Sequence, residues 1–146
     1  MPTLTLKTLF FVEALFFILD VVMKRIVQFS PVLFQGSWFA LERRMNSGVL
    51  AQYFSATMLV VIFIFLGIIL GTLCYRTWFV RRYLMSAAFL AILLGMASTI
   101  ADTIEFGTII DWVRLGNLAF NIGDILIMGG IIAIILNAEF RIKNAE

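Results

Sequence analysis

The sequence predicts an all-α membrane protein: four transmembrane helices and a small extracytoplasmic cradle in one domain, residues 1–146. Three observations carry this. The chain is 62% hydrophobic and only 14% charged, against roughly 45–50% and 25% in soluble domains. Mean hydropathy is +1.05. At about 20 residues per span, 146 residues hold four spans with little to spare. The net charge of +2 gives no basic field for nucleic acid.

The first span, near 8–25, is leucine- and phenylalanine-rich but contains Glu13 and Asp20 between Lys7 and Lys24. Glu13 interrupts its apolar core and no A-x-A-like site follows, so it reads as a helix and not a cleaved leader. The second, near 54–75, lies within an uncharged run over 45–75. Gly67 and Gly71 sit inside it with GxxxG spacing, which suits close helix packing. The third, near 83–102, is uncharged until Asp102, and the fourth, near 119–138, carries only Asp124. The longest connection, 24–53, has Pro31, Gly36 and Gly48 as breakers, with Trp38, Phe39 and Tyr53 suited to an interface. Residues 75–82 make a tight turn with Arg76, Arg81 and Arg82.

Four spans put both termini beside that turn. Its side holds Lys7, Arg76, Arg81, Arg82, Arg141 and Lys143; the other holds Lys24, Arg25, Arg43, Arg44 and Arg114. The basic turn between two spans sets the orientation: termini cytoplasmic, the 24–53 loop outside.

The chain has no histidine and one cysteine, Cys74. Histidine-based triads, His or multi-Cys metal sites and an internal disulfide are therefore excluded. No metal or cofactor is expected. Chemistry falls to the carboxylates, which are costly in a membrane. Asp20, Asp102, Asp111 and Asp124 gather at the outer face, with Glu13 two turns deeper than Asp20. Simpler roles stand beside a functional one. Asp20 and Lys24 have the i, i+4 spacing of a helix ion pair. Asn121 and Asp124 suit a helix start. Asp111 suits a solvated loop. Glu13 is expected to face the bundle interior and to meet a hydroxyl or backbone partner.

The stretch from Gly95 reads G-M-A-S-T-I-A-D-T-I-E-F-G-T-I-I-D-W-V, and Phe120–Gly130 reads F-N-I-G-D-I-L-I-M-G-G. These resemble the C-terminal blocks of lipoprotein signal peptidase (signal peptidase II), G-N-x-x-D-R-x-x-x-G-x-V-x-D-F and F-N-x-A-D. Asp102, Gly107 and Asp111 keep the first spacing, and Phe120, Asn121 and Asp124 the second. Asp20-Val21-Val22-Met23-Lys24 resembles the family's D-x-x-[TS]-K, and Asn46-Ser47-Gly48 its N-x-G. The family's Gly and Asn fall on Ser98 and Thr99, its Arg on Thr103, its hydroxyl residue on Met23 and its Ala on Gly123. The segment from Asp111 to Asp124 is also shorter than is usual there.

The resemblance implies a bacterial inner-membrane aspartyl endopeptidase of lipoprotein processing. Such enzymes remove signal peptides from diacylglyceryl-modified prolipoproteins, just before the lipidated cysteine. Asp111 and Asp124 would be the catalytic pair, sharing one proton between them. Asn121, Asn46, Asp20, Lys24 and Asp102 would support them or the substrate. The implied partners are the lipidated precursor and membrane lipids. The departures point to an alternative: a catalytically degenerate relative with a structural or binding role, as a subunit of a membrane complex. A second alternative is a small carrier or ion pathway through the buried carboxylates, with Glu13 as its main feature.

Overall fold

The computed structural model describes residues 2–47, 55–80 and 82–143. Gly48, Tyr53 and Arg81 lie outside the described residues, as does the expected start of the second span at Phe54. The element order is α1 (Pro2–Phe29), β1 (Val32–Gln35), β2 (Phe39–Asn46), α2 (Ala56–Phe79), α3 (Tyr83–Phe106), β3 (Ile109–Leu115), β4 (Leu118–Phe120) and α4 (Ile122–Lys143).

All four helices run past the ends expected from hydropathy, and the ends of α1 and α3 carry the paired Arg25 and Glu105. α1 passes through Lys24 and Arg25 and stops at Ser30-Pro31, where the proline disfavours helix in the residue before it. α2 starts where Ser55 Oγ accepts from the Met58 N–H at 3.3 Å. α3 continues one turn past Asp102 and ends at Gly107, whose φ of +68° gives a left-handed cap. α4 starts three residues later than expected, at Ile122, after Asn121.

Among the described residues, three helices are long and apolar enough to cross a membrane: Thr57–Phe79, Tyr83–Phe106 and Ile122–Phe140, with mean hydropathies of 2.7, 2.1 and 1.8. α1 is longer, at 28 residues, but Lys7, Glu13, Asp20, Lys24 and Arg25 keep it out of that group. Exposed Val61, Ile64, Phe65, Ile68, Ile132, Ile135 and Leu136 give α2 and α4 apolar outer faces far beyond a soluble monomer's patches.

The all-α expectation is corrected by a four-stranded antiparallel sheet in the order β1-β2-β3-β4. Both connections feeding it are too long to lie structureless in a compact domain. β1 and β2 come from the segment between α1 and α2, β3 and β4 from that between α3 and α4. The sheet therefore caps one end of the bundle. At the other end, Phe10 of α1 meets Trp78 of α2, which meets Tyr83 of α3, with ring centroids 5.4 and 5.5 Å apart. β3 turns into β4 through Gly116-Asn117, with Gly116 at φ +58°. β2 pairs with β3 from Phe39↔Leu115 to Asn46↔Ile109, with a bulge between Leu41 and Arg44. A bulge re-aims the side chains beyond it, here Arg44 and Asn46.

The helices pack through glycines other than the expected pair. A β-carbon on Gly67 or Gly71 would meet nothing within 4 Å. One on Gly95 would lie 2.4 Å from Gly123 O, and one on Gly130 2.5 Å from Ala88 O. The tight seam is α3 against α4. Above it, Val27, Ile110, Trp112, Ile122 and Leu126 form the buried core where helices meet sheet.

Candidate active site

β3 and the start of α4 bring Asp111 and Asn121 together in the interior. Asp111 is 2% exposed and Asn121 fully buried. Asn121 Nδ2 donates to Asp111 Oδ1 at 3.0 Å, and Asn46 Nδ2 from β2 donates to Asp111 Oδ2 at 2.9 Å. Asn121 also begins α4. Its Oδ1 accepts from the Asp124 N–H at 3.1 Å, and its own N–H donates to Asp124 Oδ2 at 3.0 Å. This reciprocal cap satisfies two backbone donors. Asn121 thus caps α4 and also donates to Asp111. One amide links the Asp111 side chain to the Asp124 backbone, and Asp124 is half-buried beside them. Asp111 is not a solvated loop residue.

Beneath this pair lies a buried ionic network. Asp20, fully buried on α1, accepts four bonds. Trp112 Nε1 and the Ile122 N–H each donate to Oδ1 at 2.8 Å, and Ser98 Oγ and Lys24 Nζ reach Oδ2 at 2.5 and 3.1 Å. Lys24 Nζ also reaches Asp102 Oδ2 at 2.7 Å and Ser98 Oγ at 2.7 Å. All three ammonium protons have partners. Asp102 Oδ2 in turn accepts from the Ile110 N–H at 3.0 Å. The i, i+4 pair of Asp20 and Lys24 is therefore a buried junction of α1, α3, β3 and α4, not a solvated helix end. All seven sequence-selected residues, Asp111, Asp124, Asn121, Asn46, Asp20, Lys24 and Asp102, belong to these two adjoining clusters.

Sequence reasoning passed over two residues at the junction. Ser98 stood out only as a departure from a glycine. Trp112 had no role assigned to it, although a buried indole N–H needs an acceptor. Further out, Arg25 forks onto Glu105 and lies 5.6 Å from the centre of the Phe106 ring. On the sheet, Glu42 accepts from Arg114 at 2.8 Å and Arg44 at 3.2 Å. The β1–β2 hairpin exposes Val32, Phe34, Trp38 and Phe39. Among the described residues, no cluster of His, Cys, Asp and Glu could hold a metal ion.

Glu13 stands apart. It borders a cavity of about 270 Å³ between α1, α3 and α4, beside Leu9, Phe16, Ala87 and Gly129. It does face inward, but the expected partner is missing: buried Oε2 has no hydrogen bond among the described residues. α3 lines the cavity with Leu84, Ala87, Ala88 and Ala91, whose side chains offer no donor. An unsatisfied buried oxygen costs about 1–3 kcal/mol. Glu13→Leu should therefore raise the unfolding temperature in detergent, and Glu13→Gln, which keeps a polar group, should raise it less. An unfolding temperature lowered by Leu would contradict this geometry.

The arrangement offers two carboxylates joined by an amide, on a rigid ionic base, at the sheet end of an apolar bundle. No curated protein matches the chain. Two solved structures, both described as bacterial membrane enzymes determined by the in meso method, at 2.3 and 1.9 Å, share its fold. The first is 20% identical with a TM-score of 0.78, covering 96% of this chain and 92% of its own. The second is 20% identical with a TM-score of 0.73, covering 90% and 92%. The family model for signal peptidase (SPase) II matches residues 12–140, nearly the whole chain. That family consists of aspartic peptidases of the membrane, and the chain belongs to the signal peptidase II family.

Proposed function

We propose that the protein is an aspartic endopeptidase that removes signal peptides from diacylglyceryl-modified prolipoproteins. It would work at the outer face of a bacterial cytoplasmic membrane, as one four-helix domain with both termini cytoplasmic. The observation that carries this is the Asn121 link between Asp111 and Asp124.

In this reading the two carboxylates work as an acid–base pair, one ionised and one protonated. The ionised member takes a proton from water, and the water oxygen bonds to the scissile carbonyl carbon. The protonated member donates to the developing oxyanion. When the C–N bond breaks, a proton goes to the leaving amine of the lipidated cysteine. Asn121 and Asn46 hold Asp111 from both sides, so its geometry is set before substrate arrives. No step needs a metal.

α1 is the fourth span in this reading. Asp20 and Lys24 of α1 are paired inside the protein, with Asp102 of α3 as the lysine's second partner, so lipid meets few of the charges of α1. The hairpin's Phe34, Trp38 and Phe39 would rest among lipid head groups and acyl chains. Purified protein in liposomes should convert a diacylglyceryl-prolipoprotein to a smaller band on a gel and leave the unlipidated precursor intact. Equal cleavage of both, or of neither, would contradict the reading.

A further inference from the structure

Each member of the acid pair lies near a backbone N–H gripped by a buried carboxylate. Ile110, just before Asp111, donates to Asp102 at 3.0 Å. Ile122, two residues before Asp124, donates to Asp20 at 2.8 Å. Lys24 bridges the two carboxylates, and its remaining contact is Ser98 Oγ at 2.7 Å. Ser98, 1% exposed, donates its own hydroxyl to Asp20 Oδ2 at 2.5 Å. It thus accepts from the cation and donates to the anion that carries α4. It also lies close to α4: a β-carbon on Gly123 would fall 3.4 Å from Ser98 Cβ. Ser98 thus bonds the α4 arm's carboxylate directly and reaches the Asp102–Ile110 arm only through Lys24.

We propose that Ser98 is a positioning residue for the Asp124 arm, acting through Asp20 and the first turn of α4. The proposal rests on reading Asp111 and Asp124 as the catalytic pair. The serine found where the resemblance expects glycine is then a working part of this chain's site. Without its hydroxyl, Asp20 loses one of four donors and Lys24 one of three acceptors. The grip on Ile122 then relaxes, and Asn121 and Asp124 move with it. Misplacing a reacting group by about 1 Å costs on the order of 100-fold in rate.

The test compares wild type, Ser98→Ala and the near-isosteric Ser98→Cys in liposomes, with kcat and KM measured on a diacylglyceryl-prolipoprotein. We expect kcat to fall about ten- to a hundredfold in the alanine variant, less in the cysteine variant, with KM within about twofold. A second readout needs no turnover. In ¹⁵N-labelled protein, Ser98→Ala should shift the Ile122 amide and Trp112 indole resonances more than the Ile110 amide, which Ser98 reaches only through Lys24. Unchanged kcat in a cleaving enzyme, a change in KM alone, or an unmoved Ile122 amide would overturn the proposal while the peptidase reading stands. A wild type that cleaves nothing would overturn both.

Discussion

Cleavage of a diacylglyceryl-prolipoprotein will drop to background when either Asp111 or Asp124 is changed to Asn. Each change keeps size and removes one ionisable group. A lone carboxylate cannot both take the water's proton and supply one to the oxyanion and leaving amine. General acid–base groups contribute about 10²–10⁴-fold each. The double variant should be no slower than either single one, because the pair acts as a unit. The two variants should differ in stability. Asp124→Asn keeps a carbonyl oxygen to accept from the Asn121 N–H. In Asp111→Asn, Asn46 and Asn121 both still point donors at the side chain, and only one can meet an acceptor. Asp111→Asn should therefore unfold at the lower temperature while both variants remain folded. Substantial cleavage by folded Asp124→Asn would show that the site is assigned wrongly.

Lys24→Met should be the most destabilising single change in the ionic junction. It leaves Asp20 and Asp102 buried with no cation. Removing one partner of a buried ion pair costs about 3–5 kcal/mol. Part of that loss should return in Lys24→Met with Asp102→Asn, because the second change removes one stranded charge. Thermal unfolding of the three variants in detergent forms a cycle, and a coupling above about 1 kcal/mol is expected. Independent, additive effects would mean that Lys24 does not join α1 to α3 as described.

Much of this was legible in the residues. Four apolar runs with charged or glycine-bearing ends gave the helices, since hydropathy over 20 residues is a strong signal. Asp20, Lys24, Asp102, Asn121 and Asp124 stood out because polar groups in apolar segments call for a reason. The sheet was harder. β1 and β4 are four and three residues long, too short for alternation to register. The Gly116-Asn117 turn and the Ile109–Val113 run were its usable signs.

Other features depended on partners distant in sequence. Gly67-x-x-x-Gly71 advertised close packing, yet the seam runs through Gly95 and Gly130, which no spacing rule marks. Ser98 is an ordinary helix residue until α1 sets Asp20 and Lys24 against it, 78 and 74 positions away. Glu13 needed a partner by general reasoning, and only the packing of α1 on an alanine-rich face shows that Oε2 lacks one.

The most direct test of the peptidase reading is the identity of the new amino terminus. The precursor, carrying its diacylglyceryl group, is incubated with the reconstituted protein and the product analysed by mass spectrometry. The account predicts a product beginning at the lipidated cysteine, formed by wild type and absent with Asp111→Asn. A cut at any other bond, or an intact precursor where a standard signal peptidase II cleaves the same preparation, would contradict it.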